Sequence, residues 1–439
     1  LSGLTTGQHS RRAVFLPFTQ RVKLMQSLRR WLVMTVLCLS GGIIFLLPFL
    51  REVYYIPMQE AFGYDNTQMG VQMSVFGFFS LITYFPGGWL ADRFSSRKLI
   101  SSSLLATGLG GLYFATFPSY EIGIAIHAFW GASISLVFWA AMIKATRNWA
   151  PPEQQGRAFG ILESGRGIAE VISSTLFLAV FAWLGSTAGA LAHVINLFAA
   201  TNVLLALLAW LILDDDIRPV NGENARVGVP EVVAVLKMPA VWLIAIVVMT
   251  AYSAYWGSYY FAPYATDVFG LSAVLGGAVA VGKMWLKPFA AAGAGFLADR
   301  FGVSRTVFIS FLVVFAGFLL FGLLPGGDSQ LLLILMLANA TLVSTGIFAL
   351  RGIYFALLEE GGVDAAVTGT AAGVISAVGF TPDVFMPLLG GVLLDAYPGA
   401  AGYRYFYLAI AGLCALGALA SWQIMRRARV TTVAETAHV

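Results

Sequence analysis

The fold class this sequence predicts is an all-α polytopic membrane protein: twelve transmembrane helices in two pseudo-symmetric bundles of six. Three observations predict it. The composition is too apolar for water, the apolar runs are continuous and long enough to span a bilayer, and one motif recurs half a chain apart.

Hydrophobic residues make up 59% of the 439 positions and charged residues only 11%. Soluble domains carry roughly 25% charged residues, and a soluble chain this apolar would have to expose large apolar patches. A transmembrane β-barrel is excluded, because barrel strands alternate apolar and polar residues over short segments. Cys38 and Cys414 both fall inside apolar runs, so no disulfide framework is indicated.

A helix needs about 20 residues to cross the hydrocarbon. In the first half, spans 1 to 6 are expected over 31–58, 66–91, 97–117, 121–147, 156–184 and 188–213. Spans 7 to 12 are expected over 239–266, 272–298, 304–324, 328–358, 366–395 and 400–425. The organisation is therefore a tail over 1–30, a six-helix bundle over 31–213, a polar linker over 214–238, a second bundle over 239–425 and a tail over 426–439. Residues 1–24 differ in character from the rest of the chain and read as an expression or start-site artefact, or a disordered tail. Met25 is an alternative natural start, and no cleavable pattern comes after Arg11-Arg12.

Orientation follows from the positive-inside rule. With the N-terminus cytoplasmic, the inside segments hold Arg29, Arg30, Arg93, Arg97, Lys98, Arg157, Arg218, Arg226, Lys237, Arg300, Arg305, Arg426, Arg427 and Arg429, and the outside loops only Arg404. Both termini are then cytoplasmic.

Residues 88–94 read GWLADRF and residues 295–301 read GFLADRF, an offset of 207 positions, each after the second span of its half. A motif in matching places of two six-span halves is the signature of a parallel internal repeat.

The first copy, GGWLADRFSSRK, resembles the signature between helices 2 and 3 of the major facilitator superfamily, roughly G-x-x-x-D-R-x-x-R-R/K. The second, GAGFLADRFGVSR, sits where that family has its second copy, so the resemblance covers the whole chain. It implies a secondary transporter of the bacterial inner (cytoplasmic) membrane that works by alternating access as a monomer. It also implies a cytoplasmic charge relay that gates opening, carried here by Asp92, Arg93 and Arg97, with Asp299 and Arg300 in the other half. The segments LREVYYIPMQEAF, PEQQGRAFG and ESGRG are similar to the YihN-like branch. More distantly the chain resembles the organophosphate and organic-anion permeases, where a basic residue in the outer part of helix 1 helps bind the anion; Arg51 has a similar place. The helix-7 arginine of those permeases has no counterpart in AYSAYWGSYYFAP. The proline-containing helix-5 motif of drug/proton antiporters is absent as well.

Charges within spans are costly and usually face a cavity. Besides Arg51, Glu52 and Lys144, the candidates are Glu163, Arg166 and Glu170 in span 5, Lys283 and Lys287 in span 8, Arg351 in span 10 and Asp383 in span 11. Lys283 and Lys287 share one helix face, about 24 and 18 Å of helix from Asp299, near mid-membrane. They either bind substrate or are paired permanently with Asp383 or another acid. Arg51 either faces the central cavity, forms an outer gate pair, or snorkels to the outer interface. It points about 100° away from Glu52, so the two are not partners.

Glu163 and Arg166 read as a salt-bridge ladder that also closes the cytoplasmic side. Glu170 and Asp383 lie deeper and are the candidates for proton coupling. Tyr252, Tyr255, Trp256 and Tyr259 form an aromatic face on span 7, and the last three are candidate substrate contacts or interhelical packing.

His127 and His193 lack ligand spacing, so no metal site is expected, nor any cofactor. No phosphate-binding loop occurs, and nothing resembles a nucleophile with its base. The expected partners are a small-molecule substrate, a proton or counter-anion and the bilayer, with no nucleic acid. Central basic residues (Arg51, Lys283, Lys287, Arg351) outnumber acids (Glu52, Glu170, Asp383), which points to a small organic anion such as a carboxylate or sugar acid, moved with protons. A drug or metabolite exporter, a transporter-like receptor and an intramembrane enzyme are the rival readings.

Overall fold

The computed structural model describes residues 18–151, 154–215, 229–327, 329–364 and 367–436, which are mostly helical, with no strand among the described residues. Most of the expected tail over 1–30, the middle of the linker and the last three residues lie outside them.

Each expected span corresponds to a helix or a broken helix. Span 1 is Phe18–Ile43 and Arg51–Phe62, span 2 is Asn66–Arg93, and span 3 is Ser96–Phe114. Span 4 runs from Tyr120 to Trp149 through a π-helical turn at Ser133–Trp139. Spans 5 and 6 are Gln155–Trp183 and Ala188–Ile212. A short helix, Val229–Leu236, precedes span 7, which is Pro239–Ser258 and Phe261–Phe269. Spans 8 and 9 are Ala273–Phe301 and Val303–Leu323, and span 10 is Gln330–Glu360. Span 11 is Thr368–Gly379 and Pro382–Ala396, and span 12 begins at Ala400.

Eight of these are long and apolar enough individually to cross a bilayer, and bent span 2 makes nine among the described residues. Spans 1, 3 and 8 fall short by that measure. Span 1 is interrupted, span 3 opens on Ser-Arg-Lys, and span 8 carries two lysines.

The packing repeats between the halves. Span 3 lies on span 6 as span 9 lies on span 12, and span 2 lies on span 4 as span 8 lies on span 10. Across the halves, span 2 pairs with span 11 and span 5 with span 8, which are equivalent pairs under the same repeat. Close approach of spans 2 and 11 requires glycine. A Cβ built on Gly70 would stand 2.4 Å from the Pro387 carbonyl oxygen, and one on Gly77 2.4 Å from that of Asp383.

The leading spans of both halves are broken near mid-membrane. In span 1 the break covers residues 44–50, where Pro48 has no N–H to offer the helix ladder. In span 7 it falls at Tyr259–Tyr260, because Pro263 leaves the Tyr259 carbonyl without its usual donor. Such discontinuous helices expose backbone ends in the middle of the bundle, where transporter sites lie.

The face opposite the repeated motif is closed. There Asp395, at the end of span 11, accepts bonds from the backbone and side chain of both Asn66 and Thr67, at 2.6 to 3.2 Å. Asp65 caps the same helix end through Gln68. The first turn of span 2 is therefore capped jointly by its own half and by the other. Asp395→Asn would replace one acceptor oxygen with a donor. We expect this to raise several-fold the thiol-labelling rate of a Val53→Cys probe, a position buried below the latch against Gly277. An unchanged rate would show that Asp395 does not hold the halves together.

Candidate transport site

The helix breaks position the buried charges. Arg51 and Glu52 open the outer segment of span 1, and Ser258 ends the first segment of span 7. Lys283, from span 8, donates to the Ser258 carbonyl and hydroxyl, each at 2.8 Å, and lies 2.8 Å from Glu52 Oε1. The Lys283 ammonium thus makes two hydrogen bonds and one close ion pair, and the side chains of Lys283 and Glu52 are only 3% and 6% exposed. One ammonium satisfies an orphan helix carbonyl and joins the two halves through an ion pair.

Lys287, one turn further on, is open. It pairs with Glu170 of span 5 at 3.1 Å, and their side chains are 38% and 22% exposed. The structure therefore separates two lysines that the sequence places together: Lys283 is buried among its partners, and Lys287 is partly exposed. The Lys283 partner is Glu52, not Asp383.

Asp383 lies at the break of span 11 and accepts from Trp256 Nε1 at 2.8 Å and Tyr252 OH at 3.4 Å. Trp256 is thus a buried donor that holds Asp383, stacked on Tyr259 with ring centroids 4.7 Å apart. Tyr255 remains half-buried, and the Arg351 guanidinium carbon lies 3.9 Å from its ring centroid and 5.4 Å from that of Tyr252. Arg351 has no carboxylate within ion-pair distance among the described residues, and its Nη1 is buried without a hydrogen-bond partner. Lys287 is within electrostatic reach of Arg351 and Tyr255. The half-buried centre of the bundle therefore combines an unpaired guanidinium, an ion pair, a carboxylate and tyrosine hydroxyls.

Arg51 stands apart from this group. It is buried between Tyr55 and Tyr260, with its guanidinium carbon 4.9 and 5.1 Å from their centroids, and Nη1 donates to the Met69 carbonyl at 2.9 Å. Its Nε and Nη2 have no partner among the described residues. It packs spans 1, 2 and 7 together rather than facing the half-buried centre.

The span 5 stripe also divides. Arg166 bonds Glu163 and donates to the Gly41 carbonyl at 3.1 Å, which ties span 5 to span 1 inside the first half. The expected Glu163–Arg166 salt bridge is thus present, and Glu170 turns to Lys287 instead of extending it.

Asp92, Arg93, Asp299 and Arg300 are exposed, and no ion pair joins them to other described residues. Arg93 lies over Trp89, and Arg97 over Trp210 of span 6. Just beyond span 6, the Ser95 hydroxyl, then Lys98 and Arg97, hold the Asp215 carboxyl below its ordinary range. Lys144 is structural: it donates to the carbonyls of Ala91 and Phe94 at 2.8 and 3.2 Å and caps the end of span 2. His127 contacts the Gly123 carbonyl at 2.8 Å within an aromatic cluster.

Sequence reasoning missed the Asp395 latch and the partner of Glu52. Asp395 sits where an ordinary loop acid would, and Glu52 meets a residue 231 positions away, so neither leaves a local signal.

Twelve spans in two repeated halves, with paired helix breaks around a charged, half-buried centre, are the architecture of a membrane transport protein. The family model of the Major Facilitator Superfamily matches residues 31–382, and the chain belongs to that superfamily. It is similar to the inner membrane protein YihN of Escherichia coli K12, 30% identical, with 92% of this chain and 97% of the relative covered. Inner membrane protein YqcE of the same organism is also 30% identical, over 89% of this chain and 93% of its own. More distant are a probable nitrate/nitrite transporter, NarK2, of Mycobacterium tuberculosis (26% over 70% of this chain and 75% of its own) and a probable galactarate/D-glucarate transporter, GudP, of Bacillus subtilis (27% over 42% and 40%). Among solved structures, a bacterial homologue of the lysosomal transporter Spinster, described as inward-facing and unoccupied, superposes with a TM-score of 0.73 at 16% identity. That match covers 91% of this chain and 98% of the other.

Proposed function

We propose that the chain is a monomeric secondary transporter of a bacterial inner membrane, with both termini cytoplasmic, that moves a small organic anion such as a carboxylate or sugar acid together with protons. One observation carries this reading: Arg351, half-buried at the centre beside Tyr255, has no carboxylate within ion-pair distance among the described residues, and its Nη1 is buried without a hydrogen-bond partner. An unpaired buried cation is costly, and an anionic substrate would relieve that cost. The names of the nitrate/nitrite and galactarate/D-glucarate transporters, both anion carriers, support the class.

In this reading Arg351 and Lys287 hold the anion and Tyr255 packs against it, while Tyr259 and Trp256 back the site. Lys283 with Glu52 seals the outer side, and Arg51 braces that seal. On the cytoplasmic side, Asp92, Arg93, Arg97, Asp299 and Arg300 form the relay that engages when that side closes, with Arg166 and Glu163 bracing span 5.

Glu170 and Asp383 carry the proton. The centre holds three cations (Lys283, Lys287, Arg351) against three acids (Glu52, Glu170, Asp383). Adding an anion to this balanced, poorly solvated site favours protonation of an acid. A substrate carboxylate that takes Lys287 from Glu170 leaves Glu170 to bind that proton.

The test is uptake of sugar acids and small carboxylates into proteoliposomes under an imposed pH gradient. An acidic exterior is expected to accelerate uptake and a protonophore to abolish the acceleration. Glu170→Gln should keep counterflow exchange and lose the pH drive. Uptake of lipophilic cations in place of anions would overturn the reading.

A further inference from the structure

Away from the transport site, the first half contains a cavity of about 260 Å³ at its basic face. Arg29, Arg30, Ser96, Asn148, Trp149 and Asp214 line it, above an apolar floor of Val33, Ala145 and Leu213. It opens where spans 1, 3, 4 and 6 converge, and each of them contributes to the wall. Pockets for drug-sized ligands measure roughly 300–1,000 Å³, so this one admits a headgroup or a small anion.

We infer that this cavity binds a phosphate ester, namely the headgroup of an anionic membrane lipid. Three features point there. First, Trp31 of span 1 and Trp149 at the end of span 4 pack edge-on with centroids 5.4 Å apart, and tryptophan concentrates at the headgroup level. Second, Arg30 is held at the mouth in a fixed place. Its guanidinium carbon lies 4.3 Å from the Trp149 ring centroid, and its carbonyl accepts from Trp149 Nε1 at 2.6 Å. Third, the opening carries more basic than acidic groups: Arg29 and Arg30 line it with Asp214, and Arg97 and Lys98 lie in the first turn of span 3, whose helix begins here at Ser96, with Asp215 facing them. Basic pockets between membrane helices on this side recognise anionic headgroups, and a helix N-terminus adds to the attraction.

The lining holds one acid. Asp214 forms an ion pair with Arg29 through Nη2. Both side chains are exposed, so the pair is weak and a phosphate can replace the carboxylate. The headgroup then bonds Arg29 and Arg30 together, and its glyceride chains leave along the exposed faces of Trp31 and Leu32. Asp214 follows span 6 at the start of the linker, so headgroup binding frees the linker root from span 1. The inference does not rest on the nature of the transported substrate.

The experiment uses the full chain purified in detergent. Melting temperature and native mass spectrometry are followed against phosphatidylglycerol, phosphatidylcholine and inorganic phosphate. We expect phosphatidylglycerol to raise the melting temperature and remain bound in the mass spectrum, with phosphatidylcholine much weaker. Arg29→Gln/Arg30→Gln should weaken phosphatidylglycerol binding at least tenfold, Arg29→Lys/Arg30→Lys should restore most of it, and Asp214→Asn should tighten it. Stabilisation by inorganic phosphate to the same extent would keep the phosphate site but assign it to a soluble anion. Equal binding of the two lipids, or full retention by a folded glutamine double variant, would overturn the proposal. The melting temperature of each variant without lipid shows whether it is folded.

Discussion

Glu52→Gln is expected to lower the melting temperature on the order of 5 °C, because it leaves the Lys283 ammonium buried without its counter-charge. The pair is dry on both sides, and removing one partner of a buried pair costs about 3–5 kcal/mol. Lys283 would keep the Ser258 carbonyl and hydroxyl, which bind the ammonium but do not cancel its charge. Replacing both partners, as Glu52→Leu/Lys283→Met, should recover most of the loss, since a buried ion pair and an apolar pair of similar volume are often close in stability. A double-mutant cycle read by thermal unfolding in detergent checks this. Additive losses in the double variant would mean that the two residues act separately and that no ion pair joins the halves.

Arg351→Gln is expected to behave in the opposite way. Uptake should fall by roughly 30-fold or more, the effect of removing one member of a buried charge pair at about 2–5 kcal/mol. Stability should hold or rise, because Arg351 has a buried Nη1 without a partner and makes no ion pair among the described residues. A group that costs stability and serves function is the usual signature of a binding residue. Arg351→Lys should retain partial uptake, since an ammonium preserves the charge but loses the planar contact with the Tyr255 ring. Initial rates in proteoliposomes, measured beside the melting temperature of each variant, separate the outcomes. Loss of both fold and uptake would make Arg351 a structural residue.

Much of the fold was legible because the bilayer imposes simple rules. Span lengths follow from hydrocarbon thickness, and the repeated GWLADRF and GFLADRF segments marked the two halves. The helix breaks have a local cause in Pro48 and Pro263, but the expected spans over 31–58 and 239–266 ran straight through them. The site was legible only in part. Charges inside spans announced themselves as candidates, since lipid tolerates few of them. Their pairing did not, because side chains on different spans meet through packing that no local pattern encodes. Lys283 and Lys287 show this well. Four residues apart on one face, they look equivalent in sequence, yet one meets the end of a broken helix and Glu52, and the other meets Glu170.

The sequence alone therefore determined the class of protein, the number of spans, the two-half repeat and the short roster of membrane charges, all set by the solvent and by local covalent constraints. Only the tertiary structure decided which charges neutralise one another, that Arg51 lies between two tyrosines, that Asp395 latches span 2 from the other half, and that Arg351 is left unpaired. Those outcomes depend on ångström-scale contacts between residues far apart in the chain, where the low dielectric makes a paired charge stable and an unpaired one costly.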